Sequence, residues 1–150
     1  MFQYPEDIMS NPSHVWHGVA VGWRTEIGSR IQPLESTYER IVGVRMSLSE
    51  SSLLLISFYA PTAGHDEDFL ESISSMTEYL RANISPGDKI IIGADSNCSI
   101  KSSPRRQLAW KNLCAKFDLQ SHAPPLPTFH HHNGLLTPLL TYSPLLLHLA

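Results

Sequence analysis

The spacing of apolar and polar residues along the chain predicts several short strands. Residues 18–24 alternate large and small side chains, residues 39–48 alternate in the same way, and residues 53–59 form an apolar run. A period of two is typical of a strand that buries one face. The polar turn at residues 49–52 joins the last two segments as a hairpin, whereas residues 28–35 are expected to form a loop.

Two other segments have the spacing of an amphipathic helix. The first begins with acidic residues at position 66 and runs to about residue 83. Its apolar face consists of Phe69, Ile73, Met76 and Leu80. The second is expected to begin with Ser103 as the N-cap and Pro104 at the first helical position, and to end near residue 117.

Residues 89–97, Lys-Ile-Ile-Ile-Gly-Ala-Asp-Ser-Asn, predict a central strand followed by polar groups. Three consecutive isoleucines between turn-forming residues are typical of a strand buried on both faces. If the backbone stays extended beyond the strand, Asp95 and Asn97 emerge on the same side. The same residue types also favour a plain turn. These nine residues therefore leave both a turn and a functional site open.

Length and charge limit the classes of function. The chain has 150 residues, of which 42% are hydrophobic and 17% charged, as in a single globular domain. Its net charge of −3 is not the basic footprint of a general nucleic-acid binder. Contact with phosphates would therefore need the local basic cluster of Lys101, Arg105, Arg106 and Lys111.

Cysteine usage and hydropathy bear on the compartment. Cys98 and Cys114 are too few for a disulfide framework, so we expect reduced thiols in an intracellular protein, with the nucleus among the compatible compartments. The sequence has no run of eighteen apolar residues that would span a membrane. Residues 1–17 lack the pattern of a signal peptide and are expected to form a poorly ordered leader.

The order of three motifs resembles the endonuclease/exonuclease/phosphatase superfamily, and most closely its branch found in non-LTR retrotransposons. A strand ends in Tyr-Ala-Pro-Thr at 59–62, a second in Gly-x-Asp-x-Asn at 93–97, and Thr-Phe at 128–129 leads into a predicted hairpin. The resemblance covers residues 18–142 and leaves an apolar tail at 143–150. It implies an α+β fold, a partial four-layer α/β-sandwich with a mixed, mostly antiparallel sheet and flanking helices.

The resemblance also implies a chemistry, the hydrolysis of phosphoesters with a divalent metal, usually Mg²⁺. Asp95 would orient or deprotonate the attacking water and bind the metal weakly. Asn97 would donate a hydrogen bond to a phosphate oxygen, and the hydroxyl of Tyr59 would face the scissile phosphate. In the structural alternative, Asp95 and Asn97 only hold the loop, and Tyr59 is a core aromatic residue.

Departures from the family pattern predict an incomplete domain with weak or no activity. Only Glu6 vaguely resembles the metal-binding glutamate, and it does not lie in a predicted strand. Thr141 occupies the position of a later aspartate, and His148 has no aspartate before it. Each missing general-base or electrostatic contribution is worth roughly 10²–10⁴-fold in rate.

Two surfaces have alternative interpretations. The resemblance implies that Lys101, Arg105 and Arg106 contact the DNA phosphate backbone, whereas such clusters are more often a solvated helix face. In a second hypothesis the chain is a non-catalytic binding module, or an incomplete fragment, that binds a partner through this helix face or through an unpaired sheet edge, with self-association as one outcome.

A run of histidines at 130–132, together with His122, suggests zinc as a third and weaker hypothesis. Adjacent residues of a strand point to opposite faces, so these side chains cannot all reach one ion. We expect a solvent-facing hairpin here, followed by a last strand at 135–142.

Overall fold

The order of elements is that of an α+β protein, which confirms the predicted class. The computed structural model describes residues 2–3, 18–62, 64–98, 102–120 and 142–146. Its strands are β1 (Phe2–Gln3), β2 (Val21–Gly22), β3 (Ile31–Leu34), β4 (Ile41–Ser47), β5 (Ser52–Tyr59), β6 (Lys89–Asp95) and β7 (Tyr142–Leu146). Its helices are a 3₁₀ helix (Thr25–Arg30), α1 (Asp66–Asn83) and α2 (Pro104–Lys116).

Five strands form one sheet in the order β3-β4-β5-β6-β7, and β1 pairs with β2 separately. Strands β5 and β6 are parallel and joined through α1, while the other neighbouring pairs in this sheet are antiparallel. The sheet is therefore mixed and mostly antiparallel, as predicted. Parallel strands end at the same edge of a sheet, so the ends of β5 and β6 lie side by side.

One face of the sheet forms the main core with both helices. Alternate residues of β5 and β6 are buried there, whereas the residues between them are only half-buried, so the prediction that β6 is fully buried on both faces holds for this face alone. The core residues on these four elements are Leu54, Ile56, Phe58, Ile90, Ile92, Ala94, Phe69, Ile73, Met76, Tyr79, Leu80 and Leu113. Burial of this apolar surface is the main favourable contribution to folding.

The opposite face is covered in part by the segment at residues 18–22. Val42 and Val44 of β4 are almost fully buried on this face, and Val19 is buried as well. Leu55 and Ile91 are only half-buried. The face away from the helices is therefore apolar and less fully covered than the helix-packed face.

A polar cluster closes the end of the sheet where β5 and β6 begin. Arg45 donates from Nη1 to Asp88 Oδ2 and to Ser52 Oγ, each at 2.8 Å. The hydroxyl of Ser52 and the amide N–H of Ser85 also donate to the Asp88 carboxylate. Burial acts to raise the pKa of Asp88, but these hydrogen bonds and the charge of Arg45 outweigh it and hold the pKa below its usual value.

The predicted boundaries hold for the hairpin, for both helices and for β6, but two predictions at the start of the domain are wrong. The strand expected at 18–24 is reduced to β2, and the loop expected at 28–35 contains the end of the 3₁₀ helix and β3. Strand β3 forms because Ile31 pairs with Met46 in the register of β4. Pro33 is tolerated because β3 is the edge strand.

The ends of the predicted domain are only partly described. Residues 4–17 of the predicted leader and most of the last predicted strand, 135–141, lie outside the described residues. Strand β7 begins where that predicted strand ends and continues across the predicted boundary at 142. In the described part of the chain, no helix is long and apolar enough to cross a membrane.

Candidate functional site

The ends of β5 and β6 bring two of the predicted residues together. Tyr59 and Asp95 are partners in the parallel register of these strands. Both lie on the face away from the helices, because their neighbours Phe58 and Ala94 are buried against the helices. Paired residues of adjacent strands are about 5 Å apart. The predicted tyrosine and carboxylate are therefore neighbours.

Asn97 reaches the same place by a different backbone path from the one predicted. Strand β6 ends at Asp95, and Asn97 has a φ of 44°, in the left-handed region, so the chain is not extended here. Asparagine tolerates this conformation better than most residues. The Asn97 N–H donates to Asp95 Oδ1 at 3.4 Å, and its Nδ2 donates to the carbonyl of Ala60 at 2.7 Å. The carboxamide therefore lies beside the end of β5.

The Asp95 carboxyl is half-buried, and its environment affects its protonation. Burial raises its pKa above the usual value, and the N–H of Asn97 offsets part of this effect. A raised pKa makes the carboxylate a better proton acceptor at neutral pH than an exposed aspartate. This is the electrostatic condition expected of a group that takes a proton from water.

A trough of about 500 Å³ leads along the open face of the sheet to this pair. Its floor includes Leu55, Ile91 and Gly93, one side is formed by residues 18–22, and Tyr59 and Asp95 lie at its end. Apolar walls with a few convergent polar groups are typical of ligand sites. The geometry therefore supports a binding site that ends at the carboxylate.

Arg106 does not lie where the phosphate-contact prediction placed it. Its side chain is 2% exposed. The guanidinium donates to three backbone carbonyls, from Nη1 to Thr62 and from Nη2 to Pro61 and Asn97. A side chain buried in this way cannot present its charge to a solvent-borne phosphate. The prediction for Arg106 is corrected accordingly.

The charge of Arg106 is balanced inside the protein. Its Nη1 lies 3.4 Å from Asp66 Oδ1, and the guanidinium stacks 4.0 Å from the centre of the Phe69 ring. Ser103 accepts a hydrogen bond from the Arg106 N–H, which confirms it as the N-cap of α2. Its hydroxyl donates to Asp66, and this bond, with the arginine, holds the pKa of Asp66 below its usual value.

The predicted phosphate contacts of Arg105 and Lys101 stay untested. Arg105 is exposed, and its Nη1 lies 2.8 Å from the Glu67 carboxylate. Exposed ion pairs of this kind are weak, so Arg105 is available to exchange partners. Lys101 lies outside the described residues.

Sequence reasoning missed Arg40. Its carbonyl accepts a hydrogen bond from the Tyr59 N–H at 3.1 Å, and its guanidinium carbon lies 5.5 Å from the centre of the Tyr59 ring. Arg40 Nη1 is buried and has no hydrogen-bond partner among the described residues. No local signal identifies this residue, because only the pairing of β4 with β5 sets it beside Tyr59.

The metal prediction finds only partial support in the donor set. Mg²⁺ takes about six oxygen ligands in near-octahedral geometry. In the described ranges, no cluster of three or more His, Cys, Asp or Glu side chains lies close enough to hold a metal ion. Asp95 offers one carboxylate, so these residues do not form a complete magnesium site. The histidines at 130–132 and His122 lie outside the described residues.

The two cysteines are not suited to nucleophilic roles. Both are free thiols, and both are packed against the main core. Burial raises the pKa of Cys98, and it raises the pKa of Cys114 to about 11. A thiol is reactive as the thiolate, so neither is an activated nucleophile.

Comparisons by sequence and by structure differ in what they find. No protein-family model and no curated protein matches the sequence. Among solved structures, the endonuclease domain of TRAS1, a telomere-specific non-LTR retrotransposon, superposes with a TM-score of 0.53 and 18% identity. That match covers 76% of this chain and 52% of the TRAS1 domain.

A second solved structure is similar to the same degree. The human Nocturnin catalytic domain, solved with a bound sulfate anion, superposes with a TM-score of 0.54 and 11% identity, over 82% of this chain and 50% of that domain. The chain therefore spans about half the length of each of these structures. At such low identity the two matches show the fold alone, and they confirm the predicted fold type.

Proposed function

We propose that this chain carries part of a phosphodiester-hydrolysing site of the retrotransposon endonuclease type, with the DNA backbone as substrate and weak or no turnover. The observation that carries the proposal is the meeting of Tyr59 and Asp95 at the end of an open trough, with the Asn97 carboxamide beside them. The fold shared with the TRAS1 endonuclease domain supports it.

Each of the three side chains has a role that its chemistry allows. Asp95, with its raised pKa, accepts a proton from the attacking water. The Asn97 carboxamide has two N–H donors; Ala60 takes one, and we propose that the other donates to a phosphate oxygen. The Tyr59 hydroxyl would face the same phosphate from the neighbouring strand.

The rate is proposed to be low because the family pattern is incomplete. The resemblance implies Mg²⁺ as the ion, and a single carboxylate binds it weakly. Loss of the metal-binding glutamate, and of the aspartate that would precede His148, would remove contributions of roughly 10²–10⁴-fold each. We also propose an intracellular location, since two cysteines are too few for the disulfide framework of a secreted domain.

Nicking of supercoiled plasmid in Mg²⁺ tests this function. We expect slow nicking by the wild type and by Glu50→Ala, an exposed carboxylate at the opposite end of β5, and none above background by Asp95→Ala. Fast nicking that Asp95→Ala abolishes would confirm hydrolysis but contradict the low rate. If nicking is absent and a DNA duplex does not perturb the NMR signals of Tyr59 and Asn97, the proposal is refuted.

The alternative is a non-catalytic module that binds a partner through a sheet edge or through the basic face of α2. Strand β3 is an edge of the sheet, which favours this alternative. Pro33 makes β3 a poorer partner for another strand, because proline lacks a backbone N–H. The burial of Arg106 and the ion pair of Arg105 with Glu67 reduce the positive charge that α2 presents to a partner. Sedimentation at high concentration tests the sheet-edge form of this alternative, because a module with an unpaired edge would self-associate.

A further inference from the structure

We propose that Arg106 is a positioning residue of this site, and that it fixes the separation of the two loops that adjoin the reacting groups. One loop follows Tyr59 at the end of β5, and the other contains Asn97 after β6. The inference rests on the function proposed above, because it assigns a role within the same site.

The Nη2 nitrogen of Arg106 contacts both loops. Arg106 Nη2 donates to the carbonyl of Pro61 in the first loop and to that of Asn97 in the second, the latter at 2.9 Å. Nη1 adds a bond of 3.1 Å to Thr62 in the first loop. The guanidinium is therefore a bridge between two segments that no covalent connection holds together locally.

The bridge acts directly behind the proposed reacting groups. Asn97, whose carbonyl it holds, donates its own N–H to Asp95 and its side chain to Ala60. The N–H of Ala60 in turn donates to the carbonyl of Asp95 at 2.9 Å. A shift of either loop would therefore move the Asn97 carboxamide relative to Asp95.

The choice of a buried arginine at this position also needs an explanation. Burying a guanidinium is costly, and an apolar side chain of similar volume often serves stability equally well. Arg106 is nevertheless 2% exposed, with Asp66 balancing its charge and the Phe69 ring against its plane. A planar fork with several fixed N–H directions can hold carbonyls of two loops at once, which an ammonium group cannot do equally well.

Arg106→Lys tests the bridge, with Arg105→Lys as the matched control at the neighbouring, exposed helix position. The readout is amide hydrogen exchange of Ala60, with Ile56 in the interior of β5 as the internal reference. We expect the Ala60 amide of Arg106→Lys to exchange about tenfold or more faster, because the ammonium group cannot hold the carbonyls of both loops at once. Ile56 in that variant, and both amides in Arg105→Lys, should stay at wild-type rates.

Kinetics on plasmid DNA separate positioning from a purely structural role. A positioning role lowers kcat by about tenfold or more with KM unchanged, because a misplaced group loses transition-state contacts. A structural role lowers kcat only by the unfolded fraction, which a urea titration measures. If Arg106→Lys does not fold, Asp66→Asn weakens the same bridge from its edge, and a smaller increase in the exchange of Ala60 is expected.

The outcomes distinguish this inference from the proposed function. Equal exchange of Ala60 in the Arg106 and Arg105 variants, or a uniform rise across β5, would overturn the positioning role whatever the activity. If wild-type nicking does not exceed that of Asp95→Ala and a DNA duplex does not perturb the NMR signals of Tyr59 and Asn97, the proposed function fails, and the exchange data still decide whether Arg106 holds the two loops.

Discussion

The pair of Arg45 and Asp88 allows a prediction whose size follows from the structure. It lies at the end of the sheet opposite the candidate site, and its side chains are 21% and 4% exposed. Arg45→Met leaves the Asp88 carboxylate buried, with only Ser52 and the Ser85 N–H still donating to it. Asp88→Ala leaves Arg45 with Ser52 and the Asn83 carbonyl, and with some access to water.

The expected losses of unfolding free energy differ because Asp88 is more deeply buried than Arg45. Removing one partner of a fully buried ion pair costs about 3–5 kcal/mol. The partial exposure of Arg45 reduces the cost of Asp88→Ala to about 2–3 kcal/mol, because a long side chain can turn its charge to water. We expect Arg45→Met to lower the free energy of unfolding by about 3–4 kcal/mol. The double variant should lose less than the sum of the two single variants, with a coupling energy between the two sites of about 1–3 kcal/mol.

Urea unfolding followed by tryptophan fluorescence measures these values, since the ring of Trp110 stacks on that of the core residue Phe58, with 6.4 Å between the ring centres. Arg81→Met, at an exposed position in α1, is the matched control and should cost less than about 1 kcal/mol. Additive effects of the two single variants would refute the reasoning. So would a cost of Asp88→Ala clearly above that of Arg45→Met.

The pH dependence of the same pair has a definite sign. The folded-state pKa of Asp88 is below its usual value, so its contribution to stability is complete above the unfolded pKa and is lost as the pH falls through the folded pKa. Wild-type stability should therefore fall on acidification below about pH 4, the ordinary range of an aspartate. Asp88→Asn should remove this contribution, as urea titrations across the acid range would show.

Three further expectations concern the core, the site and the thiols. Gly43→Ala should cost about 1–3 kcal/mol in urea unfolding, because the new Cβ would lie 2.7 Å from Tyr79 Oη. Tyr79→Phe should be neutral or stabilising and should reduce that cost, because its buried hydroxyl has no partner among the described residues. The nicking rate should fall on acidification at a pH above the ordinary aspartate range, because the pKa of Asp95 is raised, and a pH–rate profile measures this. Cys114, whose pKa is raised to about 11, should react slowly with a thiol reagent at pH 8 until urea unfolds the protein.

Local patterns were sufficient for much of the fold. The apolar runs of β5 and β6 predicted two strands, and the spacing from Phe69 onward predicted the core face of α1. Ser103 and Pro104 marked the start of α2. These features depend on neighbours a few residues apart, so the sequence contains them directly. Asp95 at the end of a buried strand was readable for the same reason.

The tertiary structure decided what depends on distant segments. Ile31 lies in a strand only because β4 offers it a partner, since a segment with a proline at its third position has little strand propensity of its own. Arg40 lies beside Tyr59 through the hairpin register, and Arg106 is buried because two loops and Asp66 surround it. Burial and pairing are properties of the assembled chain. The basic residues next to one another at positions 105 and 106 therefore have opposite environments, which no local pattern distinguishes.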